Sequence, residues 1–486
     1  MKNHRIHAWT ICLTLCAALL WAPSCAFNPV TGQRELMLLS EPDEIRLGDK
    51  TDGDIVKSYG MYDDAALGAY VENLGQRMAK VSHRPHLSFQ FKVLDSAVVN
   101  AFAVPGGYVY LTRGILSYLN SEAALAGVIG HEIGHVAARH SAQQYSKTQI
   151  AQLGLGLGTA LSEDFRRYSH LAHFGVGMLF LRFSRDNERQ ADDLGVEYAS
   201  KAGFDASHMG NFFHTLQRLH PSSDRTGLPS WFSTHPDPPD RIRAVQEKAR
   251  DWALRLGTGK LQVNRDAYFR AIDGLVFGED PRQGYVDDNV FYHPELAFQF
   301  PVPSGWKVNN TPAQVQIVTT KQDAVILFSL ASGPSSKEVA REFIAQAKAQ
   351  VLTWDAISVN TLPATRLVSH VATQKGPIRV MSHFIQKDTH ICVFHGFTPQ
   401  PLFQKYTSFF QETMGGFKTL SEPKRINVKP DRLRIRVTKR TTTLKDALRS
   451  VGVPDEELED IALLNGGKLQ DTIPAKTLLK TVEKGR

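Results

Sequence analysis

His131-Glu132-Ile133-Gly134-His135 ends an apolar run, Ala123-Ala124-Leu125-Ala126-Gly127-Val128-Ile129-Gly130. The run is long and uncharged and reads as a buried helix. Residues four apart share one helix face, so His131 and His135 can both reach one metal ion. Glu132 lies one residue on and can face a water held by that metal. Two imidazoles at this spacing suit Zn²⁺, and the neighbouring carboxylate suits proton abstraction from water. The structural alternative is a pair of satisfied core histidines.

Catalytic zinc takes three protein ligands and keeps one position open. A spacing that adds Gly at 138 and His at 141 fails here, because Ala138 and Ser141 stand there. A second helix supplies another donor in Arg185-Asp186-Asn187-Glu188-Arg189-Gln190-Ala191-Asp192-Asp193. Glu188 and Asp192 are four apart on one face. Glu188 is the expected third ligand. Asp192 is placed to accept a hydrogen bond from the far nitrogen of a ligating histidine. The competing reading is a solvated charged helix, since Arg185, Arg189 and Asp193 are interleaved.

H-E-I-G-H followed by E-R-Q-A-D resembles the gluzincin-type peptidases of the HtpX, CAAX-prenyl-protease and BepA superfamily. Two other stretches carry the same resemblance: Asn100 to Leu111, with Pro105-Gly106-Gly107 inside it, and Ser233-Thr234-His235-Pro236 followed by Asp240-Arg241. Together the matches run over roughly residues 28 to 250. The resemblance implies a zinc-dependent endopeptidase with His131, His135 and Glu188 as metal ligands. Glu132 is then the general base and acid. His235 is expected either to assist the oxyanion or to close the zinc site as a fourth ligand; a loop histidine before Pro236 is the plain alternative. The expected substrates are protein or peptide chains.

Asn100 to Leu111 reads as strand, tight turn and strand. An exposed edge there would bind an extended chain by main-chain pairing, or simply support the helix. Two apolar stretches, Leu153 to Leu161 and Leu171 to Leu181, flank a polar segment. Each is shorter than the ~18 residues that span a bilayer. Core packing, a lid and contact with a membrane surface are the three readings, in that order. His140, His170 and His173 read as structural rather than ligating.

The N-terminus has Lys2 and Arg5 and then an apolar stretch from Ala8 to Trp21, a secretory signal pattern over residues 1–24. Ala22-Pro23-Ser24-Cys25 resembles a bacterial lipobox. Asn28-Pro29-Val30-Thr31-Gly32 resembles the segment after the lipidated cysteine in lipoproteins of this superfamily. The expectation is a protein on the periplasmic side of the bacterial envelope, anchored through a lipid on Cys25, with a soluble secreted form as the alternative. Four cysteines, two of them inside the signal, imply no disulfide framework. The net charge of +7 is dispersed, and no nucleic-acid motif is present.

The expected fold class is α+β multidomain: a mostly α peptidase with a small sheet over 25–255, a linker over 256–287, an α+β accessory domain over 288–420, and a β-α-α-β unit over 428–486. The accessory domain shows strand-like runs at Leu296 to Val302, Val315 to Thr319, Ala324 to Ala331, Ile378 to Lys387 and Thr389 to Phe397. Helix-like runs fall at Ser336 to Leu352 and Pro401 to Met414. Its opening, Phe298 to Trp306, faintly resembles PsbP-like domains. The last unit resembles a LysM domain, which implies binding to peptidoglycan. Thr441-Thr442-Thr443 replace the usual Gly-Asp-Thr opening, so glycan binding and protein docking stay open. Beside the endopeptidase reading stand an envelope chaperone or assembly factor with a latent zinc site, and a peptidoglycan-tethered adaptor.

Overall fold

The computed structural model describes residues 25–154, 183–219, 231–235, 240–257, 261–373 and 376–485. The signal segment and most of the apolar insert, with His170 and His173, lie outside the described residues. The chain is a mixture of helices and antiparallel-rich sheets gathered into several units.

A short hairpin, β1 (Cys25–Phe27) and β2 (Arg34–Leu36), leads into α1 (Glu41–Tyr59) and α2 (Ala65–Lys80). Ser40 and Asp43 form a capping box at the start of α1, satisfying backbone donors reciprocally. A three-stranded sheet follows: β3 (Gln90–Leu94), β4 (Ala101–Val104) and β5 (Tyr108–Thr112). β5 is central, parallel to β3 and antiparallel to β4, with Ala103 opposite Val109. Gly106 and Gly107 make the β4–β5 turn at φ of +87° and +101°, which side chains rarely tolerate. Thus β4 is an edge strand.

After the short α3 (Arg113–Tyr118) comes α4 (Glu122–Ala137), capped by Ser121 and buried at every residue. An all-round apolar helix has no solvent face to offer, which is why it runs through the core. α5 (His140–Gly154) follows, and α6 (Arg185–Lys201) packs on α4. Glycines set how closely these two helices approach. A Cβ added at Gly130 would come within 2.9 Å of the Gly195 carbonyl oxygen, and one at Gly195 within 2.9 Å of the His131 nitrogen. α7 (Ser207–Arg218), the single turn α8 (Trp231–Thr234), α9 (Arg241–Leu256) and α10 (Arg265–Ala271) complete this half.

The middle unit holds a four-stranded and a seven-stranded sheet. Strands β6 (Tyr285–Asp287), β7 (Val290–His293) and β8 (Phe298–Pro301) pair in sequence. They are followed by β9 (Lys307–Thr311), β10 (Gln314–Val318), β11 (Val325–Ala331), α11 (Ser336–Ala347), β12 (Gln350–Val359), β13 (Leu362–Thr373), β14 (Gly376–Lys387), β15 (His390–Pro399), α12 (Phe403–Gly415) and β16 (Lys418–Thr419). The seven-stranded order is β12-β13-β14-β15-β11-β10-β9, and β16 joins the smaller sheet beside β8. Two separate cores fill this unit, one around Phe298, Phe300, Phe328 and Phe394, the other under α11. The expected helix to Leu352 stops at Ala347, and β12 and β13 occupy residues where no strand was expected. Lys348, with φ +48°, turns the chain out of the helix.

The last unit contains α13 (Pro423–Ile426), β17 (Arg432–Val437), β18 (Thr442–Thr443), α14 (Leu444–Ser450), α15 (Leu458–Leu464), β19 (Thr472–Ile473) and β20 (Leu478–Glu483). Residues expected to form a linker over 256–287 pack here into the fold. Tyr268, Phe269 and Ile272 from the expected linker are buried. They share one core with Leu116, Leu119, Leu433, Leu444, Leu464 and Leu479. Residues 274–277 pair by backbone with 431–433, through Gly274 N–H to Leu433 O, Leu433 N–H to Leu275 O and Phe277 N–H to Asp431 O. Lys480 is fully buried and donates to the carbonyls of Ser117 (2.6 Å) and Leu119 (3.0 Å) at the end of α3. Burial pushes its ammonium well below the ordinary lysine range. No described helix is long and apolar enough to cross a membrane.

Candidate metal centre

α4, α6 and α8 converge on one buried point. His131 and His135 come from α4, Glu188 from the first turn of α6, and His235 from just beyond α8. The His235 N–H bonds the Trp231 carbonyl (2.8 Å), which keeps the histidine on that turn. One donor atom from each of these four residues lies within 4.8 Å of every other, and all four side chains are buried.

The separations suit a tetrahedral ion. Ligands about 2.0–2.1 Å from a tetrahedral Zn²⁺ stand roughly 3.3–3.4 Å from one another. His131 Nε2 is 3.1 Å from His135 Nε2 and 3.4 Å from His235 Nδ1. Glu188 Oε1 is 3.1 Å from His235 Nδ1 and 3.5 Å from His135 Nε2. Three ring nitrogens and a carboxylate oxygen gathered in a buried cluster are a donor set of the kind that holds a divalent cation. The second oxygen of Glu188 and both oxygens of Glu132 are buried without a hydrogen-bond partner, as donors reserved for another group would be. The donor set therefore fits zinc.

Asp192 lies one turn beyond Glu188. Its Oδ1 is 2.8 Å from His131 Nδ1. Arg241, at the start of α9, clamps the same carboxylate through Nε (2.7 Å) and Nη2 (2.8 Å). The guanidinium also lies 3.8 Å over the Phe213 ring. Arg241 Nη2 is 3.4 Å from Glu188 Oε2. The charged look of α6 thus divides by face: Glu188 and Asp192 point into the core, and Arg185, Asp186, Arg189 and Asp193 remain at the exposed side. Sequence reading assigned no role to Arg241, Trp231 or Phe183. Trp231 stacks on His235 at 4.3 Å, and Phe183 on His135 at 4.1 Å. Only the Asp240-Arg241 pair carried a signal, through its likeness to a family element.

Glu132 sits beside the cluster, its Oε1 3.7 Å from His235 Nε2. Burial pushes its carboxyl up, to about 7, against the pull of His235. Burial drives His131 and His135 well below the ordinary histidine range, so both are neutral and able to ligate. Burial alone would raise Glu188, but His235, His131 and Arg241 together hold it below the usual carboxylate range. Burial opposes charge on His235 too, yet Glu188 and Glu132 keep its pKa above the usual value. His140 lies next to His135, with 3.0 Å between their Nδ1 atoms.

Residues 65–249 match the family described as Peptidase family M48. The mitochondrial metalloendopeptidase OMA1 of Schizosaccharomyces pombe is 32% identical over 229 residues, which is 46% of this chain and 65% of that protein. The beta-barrel assembly-enhancing protease of Escherichia coli (strain K12) is 30% identical over 239 residues, 47% of this chain and 48% of that one. The chain thus spans about half to two thirds of the length of these relatives. A solved cyanobacterial PsbP (CyanoP) from Synechocystis sp. PCC 6803 overlaps 28% of this chain and 91% of its own, at 14% identity and a TM-score of 0.24, too slight a likeness to assign a fold. Residues 65–249 are thus similar to Peptidase family M48, and within them His131, His135, Glu188 and His235 form a candidate metal site.

Proposed function

We propose that this chain is a zinc-dependent endopeptidase of the bacterial cell envelope, acting on misfolded or misassembled envelope proteins. The buried cluster of His131, His135, Glu188 and His235 carries the reading. In it, His131, His135 and Glu188 hold the ion. Bound Zn²⁺ supplies Lewis acidity, acidifying water toward roughly 7 and polarising a peptide carbonyl. Glu132 takes the proton from water and returns it to the leaving amine. A carboxyl tuned to about 7 suits both directions of that transfer at neutral pH. Asp192, fixed by Arg241, orients His131. The edge strand β4 packs against α4, the helix that carries Glu132. An extended substrate chain added along β4 would be read by its main chain rather than its sequence. Residues 1–24 and a lipid on Cys25 would place the enzyme at the envelope membrane.

A specific observation favours a second state. His235 Nδ1 lies 3.4 Å from His131 Nε2 and 3.1 Å from Glu188 Oε1, among the atoms that would hold the ion, and could take the position that water or substrate would need. In this reading the site is closed by its own histidine, and the protein holds clients until His235 withdraws.

The test is zinc content with casein hydrolysis for wild type, Glu132→Gln and His235→Ala. Stoichiometric zinc and a loss of roughly 10²–10⁴-fold in Glu132→Gln are expected. Faster cleavage in His235→Ala would establish the closed state. Zinc without cleavage in any variant would favour the assembly-factor reading, and no zinc would sink the site.

A further inference from the structure

The two histidines of α4 must each present an unprotonated Nε2 to the ion, so each Nδ1 must carry the proton. For His131 the Asp192 carboxylate stands closest, with Oδ1 2.8 Å from Nδ1. For His135 no carboxylate stands there among the described residues, and its Nδ1 faces another imidazole, His140 Nδ1, at 3.0 Å. A ring nitrogen can donate or accept, so the direction of this bond is set elsewhere. The far nitrogen of His140 decides it: His140 Nε2 lies 2.9 Å from Gln190 Oε1. An amide oxygen only accepts. His140 therefore carries its proton on Nε2, leaves Nδ1 as an acceptor, and takes the Nδ1 proton of His135.

We propose that His140 and Gln190 are positioning residues that fix the tautomer of His135 and so ready it for the metal. The inference rests on the metal-centre reading above. It adds a second polar arm to the site: Asp192 and Arg241 serve His131, and His140 and Gln190 serve His135. The backbone is bent to make this contact. Arg139, between α4 and α5, sits at φ +60°, an unfavourable conformation for a residue with a side chain. It is held there by Nε to Glu44 Oε1 (2.5 Å) and Nη2 to Leu39 O (2.8 Å). That turn folds His140 back beneath His135, with 5.0 Å between ring centres. Gln190 comes from α6, two residues past Glu188, so one helix delivers a ligand, Asp192 and the end of the second arm.

The relay makes a ranking that packing does not. The probe is Zn²⁺ affinity by competition with a chromophoric chelator, on the full protein. Gln190→Glu keeps an acceptor and should bind zinc at least as tightly as wild type. Gln190→Leu removes it and should weaken binding. Gln190→Lys offers only donors, favours the opposite tautomer, and should weaken it most. His140→Phe should weaken binding about 10–100-fold. Gln190 is half-buried, so its series decides the matter if His140→Phe fails to fold. Equal affinity across the series, or Glu and Lys equally poor, would overturn the relay while leaving the metal centre standing. Absence of zinc from wild type, with His135→Ala no different, would overturn both.

Discussion

Residues 431–483 and residues 285–420 both follow the metal-centre half of the chain, yet they join it in opposite ways. The first shares its core: Leu433, Leu444, Leu464 and Leu479 pack in the same cluster as Leu116, Leu119 and the α4 side chains. The second keeps cores of its own, built on Phe298, Phe300, Phe328 and Phe394 and under α11. Distance along the chain is therefore no guide to mechanical coupling. The most distant segment shares the core of the metal helix, while the nearer one keeps separate cores.

Ending the chain after residue 427 breaks this contrast most severely. It removes Leu433, Leu444, Leu448, Leu464 and Leu479 from the shared core. At about 1.5–3 kcal/mol for each fully buried side chain, the loss rivals the ~5–15 kcal/mol that stabilises a typical domain. The shortened chain should lack a cooperative melt by circular dichroism and should not bind zinc. Replacing 285–426 with a short Gly-Ser linker should leave zinc binding intact, because Tyr285 Oη and Arg425 O are only 3.4 Å apart. A truncated protein that melts like the full chain would refute the shared scaffold.

A smaller effect sharpens the other side. Phe394 is fully buried, 4.8 Å from Phe328 and 5.1 Å from Phe300 by ring centres. Phe394→Ala should destabilise the middle unit by about 3–5 kcal/mol in urea unfolding. Zinc affinity should not change; a parallel fall in both would show that the units are coupled after all.

The smallest effect lies at Lys480. Lys480→Met leaves the Ser117 and Leu119 carbonyls without their donor, at a cost of about 1–3 kcal/mol. The sign with pH follows from burial. Because the folded-state pKa is lowered, the unfolded chain holds more protons between that value and the ordinary lysine value of about 10.4. Wild-type stability at this site therefore rises with pH through that window. The Met variant lacks the rise, so the gap between the two melting curves should widen from pH 8 to pH 10. A gap that narrows would mean the ammonium form is the one the site favours.

The metal helix was legible because its signal is local: an uncharged run, two histidines four apart and a glutamate between them. Glu188 and Asp192 were legible for the same reason. Arg241 was not, because an arginine at a helix start looks like any solvated charge until Phe213 and Asp192 close around it. His140 was read as structural rather than ligating; its contact with His135 depends on the left-handed Arg139, which no local pattern announces. The linker expectation over 256–287 followed its glycines and passed over Tyr268, Phe269 and Ile272, whose partners are some 160 residues later. Strands β12 and β13 escaped because their exposed faces dilute the alternation that marks a strand. Local patterns reveal chemistry; long-range packing partners leave little trace in either neighbourhood.

Lys480 lies 363 residues after Ser117, the carbonyl it caps. At a ribosomal rate of about 5–20 residues per second, roughly 20 to 70 s separate the synthesis of these two residues. Throughout that interval the nascent metal helix lacks its last supporting strand. The histidines and Glu188 are made early, but the core that sets them is closed by residues made hundreds of positions later. Synthesis of residues 431–483 is thereby the step that finishes this core, so a copy released before them carries the His131 to His135 motif without the architecture that sets it.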